Sequence, residues 1–138
     1  MNLDADVVRS RCSDIEESLK RLERLRVMPL ARFLEDRDAQ DIACYRLMVS
    51  IEAALALCYH TTARRLRLTP DDNAACFEAL QEAGILDAAL SERLRRMARF
   101  RNLLVHMYWK VDYAKVHEMI QHSLGDLRAF TRAIAQLL

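Results

Sequence analysis

Apolar residues recur three or four positions apart along nearly the whole chain, and very little interrupts them. Val8, Cys12, Ile15, Leu19, Leu22 and Leu25 form one such row. At about 100° per residue, that spacing lays the row along a single helix face. Only two glycines and two prolines punctuate the 138 residues, so helices are free to run long. No strand-like alternation, internal repeat or low-complexity linker stands out. The chain is therefore restricted to helix-on-helix packing, and its length suffices for one real core.

The first helix is predicted from about Asp4 to Val27. Its remaining positions are charged, with Glu16–Lys20 and Glu17–Arg21 four apart, as expected of a solvated face. Pro29 ends it, and the connector Leu30-Ala31-Arg32-Phe33-Leu34 is expected to plug the bundle end with Phe33 and Leu34. A long second helix is predicted from about Asp38 to Leu66. Ile42, Ala43, Leu47, Ile51, Ala54, Leu55, Cys58 and Tyr59 cover more than a stripe of it, which predicts the most buried helix. Arg46 and Glu52 within it are costly to bury without partners; solvent, a structural ion pair or a polar cleft would each serve.

Leu68-Thr69-Pro70-Asp71-Asp72-Asn73 is the clearest turn in the chain. A short helix carrying Cys76, Phe77 and Leu80 follows, with Gly84 placed to stop it. Asp87 is a candidate N-cap for a helix bearing Leu90, Leu94, Met97, Ala98, Phe100, Leu103 and Leu104. Asp112 is a second, for a last helix running to the C-terminus with Gly125 as a weak point. Four main helices plus short ones make an all-α, up-down bundle, one domain over residues 1–138.

Charged residues reach 30%, yet the formal net charge is only +1. Overall charge thus argues for neither a nucleic-acid nor a membrane partner, and any basic footprint must be local. Cys12, Cys44, Cys58 and Cys76 form no C-x-x-C pair; they read as small apolar residues in a reducing cytosol. Met1-Asn2-Leu3-Asp4 is not the start of an apolar leader, and no run approaches about 18 apolar residues. A cytoplasmic protein without a membrane partner is expected. His60, His117 and His122 lack H-E-x-x-H spacing, and Glu118–His122 reads as a surface pair. No metal, no cofactor and no glycine-rich phosphate loop is predicted.

The chemistry gathers in Arg101-Asn102-Leu103-Leu104-Val105-His106-Met107-Tyr108. Arg101 and Tyr108 are seven apart and would share a helix face; Asn102 and His106, four apart, would share another. Arg101 and His106 diverge by roughly 140° on a regular helix. Either the helix bends near His106 or two copies meet to complete a site. Arginine is a permanent cation suited to phosphate oxygens, and histidine exchanges protons near neutral pH. Together they suffice for metal-independent RNA cleavage by the ribose 2′-hydroxyl. Asn102 would orient His106, and Tyr108 would hydrogen-bond substrate. The alternative is a structural helix end, where Arg101 and His106 satisfy backbone carbonyls and Tyr108 packs. The arginines from Arg93 to Arg101, including Arg96 and Arg99, form an RNA-tracking stripe extended by Lys110, or are solvated helix-face residues, or contact the acidic cluster Glu35, Asp36 and Asp38. Trp109 reads as a packing anchor or a dimer contact rather than a base-stacking platform.

Arg101-x4-His106-x-Tyr108 resembles the R-x4-H-x-Y motif of the HEPN superfamily, in its HepT-like branch. Asp41-Ile42-Ala43 and Ile51-Glu52-Ala53-Ala54 resemble that branch's second helix. Phe77 to Leu86, Met97 to Asn102 and Val111-Asp112-Tyr113 resemble the segments that follow, so the likeness runs from about residue 5 to the C-terminus. It implies a HEPN-like helical homodimer acting as the RNase toxin of a toxin–antitoxin pair. Arg101 and His106 would be catalytic, facing each other across the dimer. The implied partner is an MNT-type nucleotidyltransferase that attaches AMP to Tyr108 and silences the toxin. A non-catalytic helical subunit docking on such a nucleotidyltransferase is the competing expectation.

Overall fold

The computed structural model describes residues 2–138; Met1, where the acidic opening begins, lies outside them. Among the described residues there are seven α-helices and no strand. They are α1 (Ala5–Arg26), α2 (Leu30–Phe33), α3 (Arg37–Thr61), α4 (Asn73–Glu82), α5 (Ala88–His106), α6 (Tyr113–His122) and α7 (Leu124–Ala135). A wider π turn, Thr62–Leu66, extends α3, and a 3₁₀ turn, Tyr108–Lys110, follows α5. The all-α bundle is as expected.

Aspartates start most of these helices. Asp4, Asp36, Asp72, Asp87 and Asp112 each accept first-turn backbone N–H groups of α1, α3, α4, α5 and α6. Those amides have no partner inside their helix, and the carboxylate also complements the positive end of the helix dipole. The cap of α3 is Asp36, two residues before the expected start. Gly84 ends α4 as predicted, at φ +78°. The Ile85 N–H bonds back to the Leu80 carbonyl at 2.9 Å, and the Gly84 N–H to Gln81 at 3.0 Å. This double closure needs a left-handed residue at that position.

The last helix is not continuous, contrary to expectation. It breaks at Ser123 (φ −112°, ψ −7°). Ser123 and Gly125 are both weak helix formers. The break lets α6 bury Val116 and Ile120 while α7 buries Leu124, Leu127, Phe130 and Ile134. It also places Asp126 in the first turn of α7, where a carboxylate is favoured.

α1 packs most extensively on α3, and α5 packs on α3, α4 and α7. The buried apolar side chains join into one cluster, with Leu19, Leu22, Phe33, Leu47, Leu57, Leu80 and Phe130 fully enclosed. The Phe77 and Phe130 rings meet edge to face, with centroids 5.9 Å apart, the arrangement that ring quadrupoles favour. Phe33 is buried as expected, but Leu34 faces solvent, so only one of the two plugs the bundle end. The expectation of no membrane-length apolar stretch also needs correction. Within Arg37–Leu66 lies an 18-residue window with mean hydropathy 1.5, apolar enough to cross a bilayer by length and composition. Half of that window is buried inside the protein, as befits the central helix.

Candidate active site

α5 carries the candidate residues Arg101, Asn102 and His106 at its C-terminal end. The apolar row Leu90, Leu94, Met97, Ala98 and Leu104 is buried, and that burial orients the helix and everything projecting from its other faces. α5 stays helical through His106 and stops at Met107, whose φ −138° and ψ 46° leave the helical region. Tyr108, Trp109 and Lys110 then form the tight turn, closed by the Lys110 N–H on the Met107 carbonyl at 2.8 Å. The expected shared helix face of Arg101 and Tyr108 therefore does not exist, because Tyr108 lies beyond the end of the helix.

Arg101 points back toward α3. Its Nη2 forms an ion pair with the Glu52 carboxylate, and its Nη1 donates to the Asn102 side-chain oxygen at 3.0 Å. The Arg101 side chain is only 21% exposed, and its Nε–H is buried without an acceptor. Asn102 thus bonds Arg101 rather than His106. His106 is exposed on the last turn of α5. Tyr108 and Trp109 are also exposed, their rings in edge contact at 5.4 Å.

The arginine row resolves into individual ion pairs. Arg93 meets Asp126 at 2.9 Å, Arg95 meets Glu78 at 3.0 Å and Glu92 at 3.1 Å, and Arg96 meets Glu92 at 3.2 Å. Glu35, Asp36 and Asp38 instead line a groove with Arg32 and Arg37. Arg99 and Lys110 are exposed and have no ion-pair partner among the described residues. Glu118 and His122 sit on the wall of a groove between α5 and α6, beside Met97, Phe100 and Lys115. Among the described residues, no group of three or more His, Cys, Asp or Glu stands close enough to hold a metal ion.

The sequence motif left Glu52 out of the site. Its signal was present: a lone acid amid Ile51, Ala53, Ala54 and Leu55, all buried. A half-exposed carboxylate in such company is favoured by a cation beside it, but only packing of α3 on α5 reveals that the cation is Arg101.

The chain matches the family of HepT-like ribonucleases over residues 15–134. It belongs to that family. The mRNA nuclease HepT of Shewanella oneidensis is 24% identical over 129 residues, which span 94% of this chain and 96% of that protein. A putative RNase of Archaeoglobus fulgidus is 31% identical over 94 residues, or 68% of this chain and 70% of that protein. Among solved structures, the tri-AMPylated HEPN toxin of Shewanella oneidensis, in complex with MNT antitoxin, aligns with a TM-score of 0.88. That match is 23% identical and covers 96% of this chain and 99% of that one. The HepT-like fold therefore runs through essentially the whole chain, and the end of α5 is its candidate active site.

Proposed function

We propose that this HepT-like protein is the toxin of a HEPN/MNT toxin–antitoxin pair, a metal-independent endoribonuclease restrained by AMPylation of Tyr108. The observation that carries the reading is the end of α5. There an anchored guanidinium, an exposed imidazole and an exposed phenol stand within eight residues. In the proposed reaction His106 takes the proton of a ribose 2′-hydroxyl. The 2′-oxygen attacks the adjacent phosphorus, the bond to the 5′-oxygen breaks, and that oxygen leaves with a proton from water, while His106 gives the proton it accepted to solvent. The products are a 2′,3′-cyclic phosphate and a 5′-hydroxyl. Arg101 stabilises the charge that builds on the phosphorane-like transition state. DNA lacks the 2′-hydroxyl and is not cut.

Arg101 turns toward Glu52 while His106 faces solvent five positions on. A homodimer that faces two α5 ends toward each other supplies both groups to one phosphate. Asn102 supports Arg101, with which it is bonded. Arg99 and Lys110, both without an ion-pair partner among the described residues, extend the phosphate-binding surface, and Arg96 adds to it when released from Glu92. An AMP on Tyr108 would bring bulk and negative charge beside Arg101 and His106 and compete with RNA. The cognate partner is an MNT nucleotidyltransferase, the compartment the cytoplasm, and residues 1–138 act as one domain.

The exposed Tyr108–Trp109 ring pair favours a second reading: a non-catalytic subunit that docks on the nucleotidyltransferase through this surface. RNA cleavage and intact mass separate the two. Cleavage abolished in a folded His106→Ala protein, with an adenylate mass gained from the nucleotidyltransferase and ATP and lost in Tyr108→Phe, is the expected result. Undiminished cleavage by His106→Ala would overturn the catalytic assignment.

A further inference from the structure

We infer that Glu52 is a positioning residue of the active site, holding Arg101 in the orientation that presents it to a phosphate. The inference rests on the ribonuclease reading above. A guanidinium carries five N–H donors in a fixed plane and no acceptor. Asn102 accepts one Nη1 hydrogen of Arg101, the Glu52 carboxylate stands against Nη2 as its counter-ion, and the Nε–H is buried without an acceptor among the described residues. The Nη donors that Asn102 does not take are left beside the carboxylate, and a guanidinium held in one orientation can offer such donors to a phosphate in a forked contact.

Placement makes Glu52 more than a counter-charge. It lies on the central helix between Ile51, 2% exposed, and Ala53, 4% exposed, so its backbone is fixed by the core. Its Oε1 is itself buried. Asn102 is on the same helix as Arg101 and exposed; by itself it cannot tie that side chain to the rest of the bundle. Glu52 is the one group among the described residues that links Arg101 to another helix by an ion pair. An arginine otherwise has several rotatable bonds to order, and a cation misplaced by about 1 Å loses on the order of 100-fold in rate.

The competing view is that Glu52 holds Arg101 away from RNA as a restraint. The two views predict opposite signs. The test compares the full-length protein with Glu52→Ala and Glu52→Gln, measuring kcat and KM on RNA and the ¹⁵N-edited Nε–H signal of Arg101. Positioning predicts a kcat about 10- to 100-fold lower in Glu52→Ala. KM should be unchanged or lower, because a negative charge near the phosphate has been removed. Glu52→Gln keeps an acceptor oxygen and should restore most of kcat. The Nε–H signal, slow to exchange in the parent, should broaden in Glu52→Ala and return in Glu52→Gln. A kcat that is unchanged or higher in Glu52→Ala, or an unaltered Nε–H signal, overturns the inference. A parent protein that cleaves no RNA would instead defeat the ribonuclease reading, while the Nε–H signal would still report whether Glu52 fixes Arg101.

Discussion

The seam between α1 and α3 and the end of α5 are built on opposite principles. Within these two packed helices, Ile15, Leu19 and Leu22 of α1 and Leu47, Ile51 and Leu57 of α3 are at most 2% exposed. Each is held by many weak contacts that no single substitution removes entirely. At the end of α5, Tyr108 is 70% exposed and Trp109 65%, and Arg101 is held by one carboxylate and one amide. Stability is thus spread over many side chains, whereas the candidate chemistry hangs on a few. That division leaves the site free to change without cost to the fold, and it is sharp enough to test.

The largest expected effect breaks the site and spares the seam. Arg101→Ala should lower RNA cleavage about 100- to 1000-fold, the usual loss when a donor to a developing oxyanion is removed. Its thermal midpoint should fall only slightly, since the pair with Glu52 is partly exposed. Cleavage assays beside calorimetry check both halves. Leu22→Ala is the converse. It should cost about 2–5 kcal/mol in denaturant unfolding, while activity per folded molecule is retained.

Smaller effects test the joints. Gly84→Ala meets no atom within 4 Å of the added Cβ, so only its left-handed backbone is penalised, by about 1–2 kcal/mol. A urea titration should show a shifted midpoint with an unchanged slope. The smallest effect concerns His60, whose Nε2 accepts the Asp4 backbone N–H at 3.0 Å and so ties the start of α1 to α3. Burial, and next the Arg64 charge, hold His60 below its ordinary value, with Asp4 acting in the opposite sense. The unfolded chain therefore takes up the proton first as pH falls. The stabilisation is present above about pH 6.5 and is lost as pH drops from there toward the folded value. A thermal midpoint that declines on acidification in the parent, and declines less in His60→Gln, is the expected outcome.

Much of this organisation was legible in the residues. Three-four spacing located the helices, Asp87 and Asp112 their caps, and Gly84 a stop, because these are local effects that act within one turn. The continuous last helix was misjudged because Val116 to Leu137 keeps its apolar period across Ser123, and a stripe does not report a kink. The arginine row was ambiguous for a related reason: Asp126 and Glu78, the partners of Arg93 and Arg95, lie 33 and 17 positions away.

The order of residues by itself determined an all-helical chain, the ends of most helices and the clustering of Arg101, Asn102, His106 and Tyr108. Propensity, capping and periodicity are properties of neighbours in the chain. Only the tertiary structure decided that Glu52 meets Arg101, that Asn102 bonds Arg101 rather than His106, and that α5 ends before Tyr108. Those outcomes depend on how α3 and α5 pack and on where the backbone leaves the helix. An ion pair across 49 positions, from Glu52 to Arg101, becomes a contact only when the core has closed around both helices.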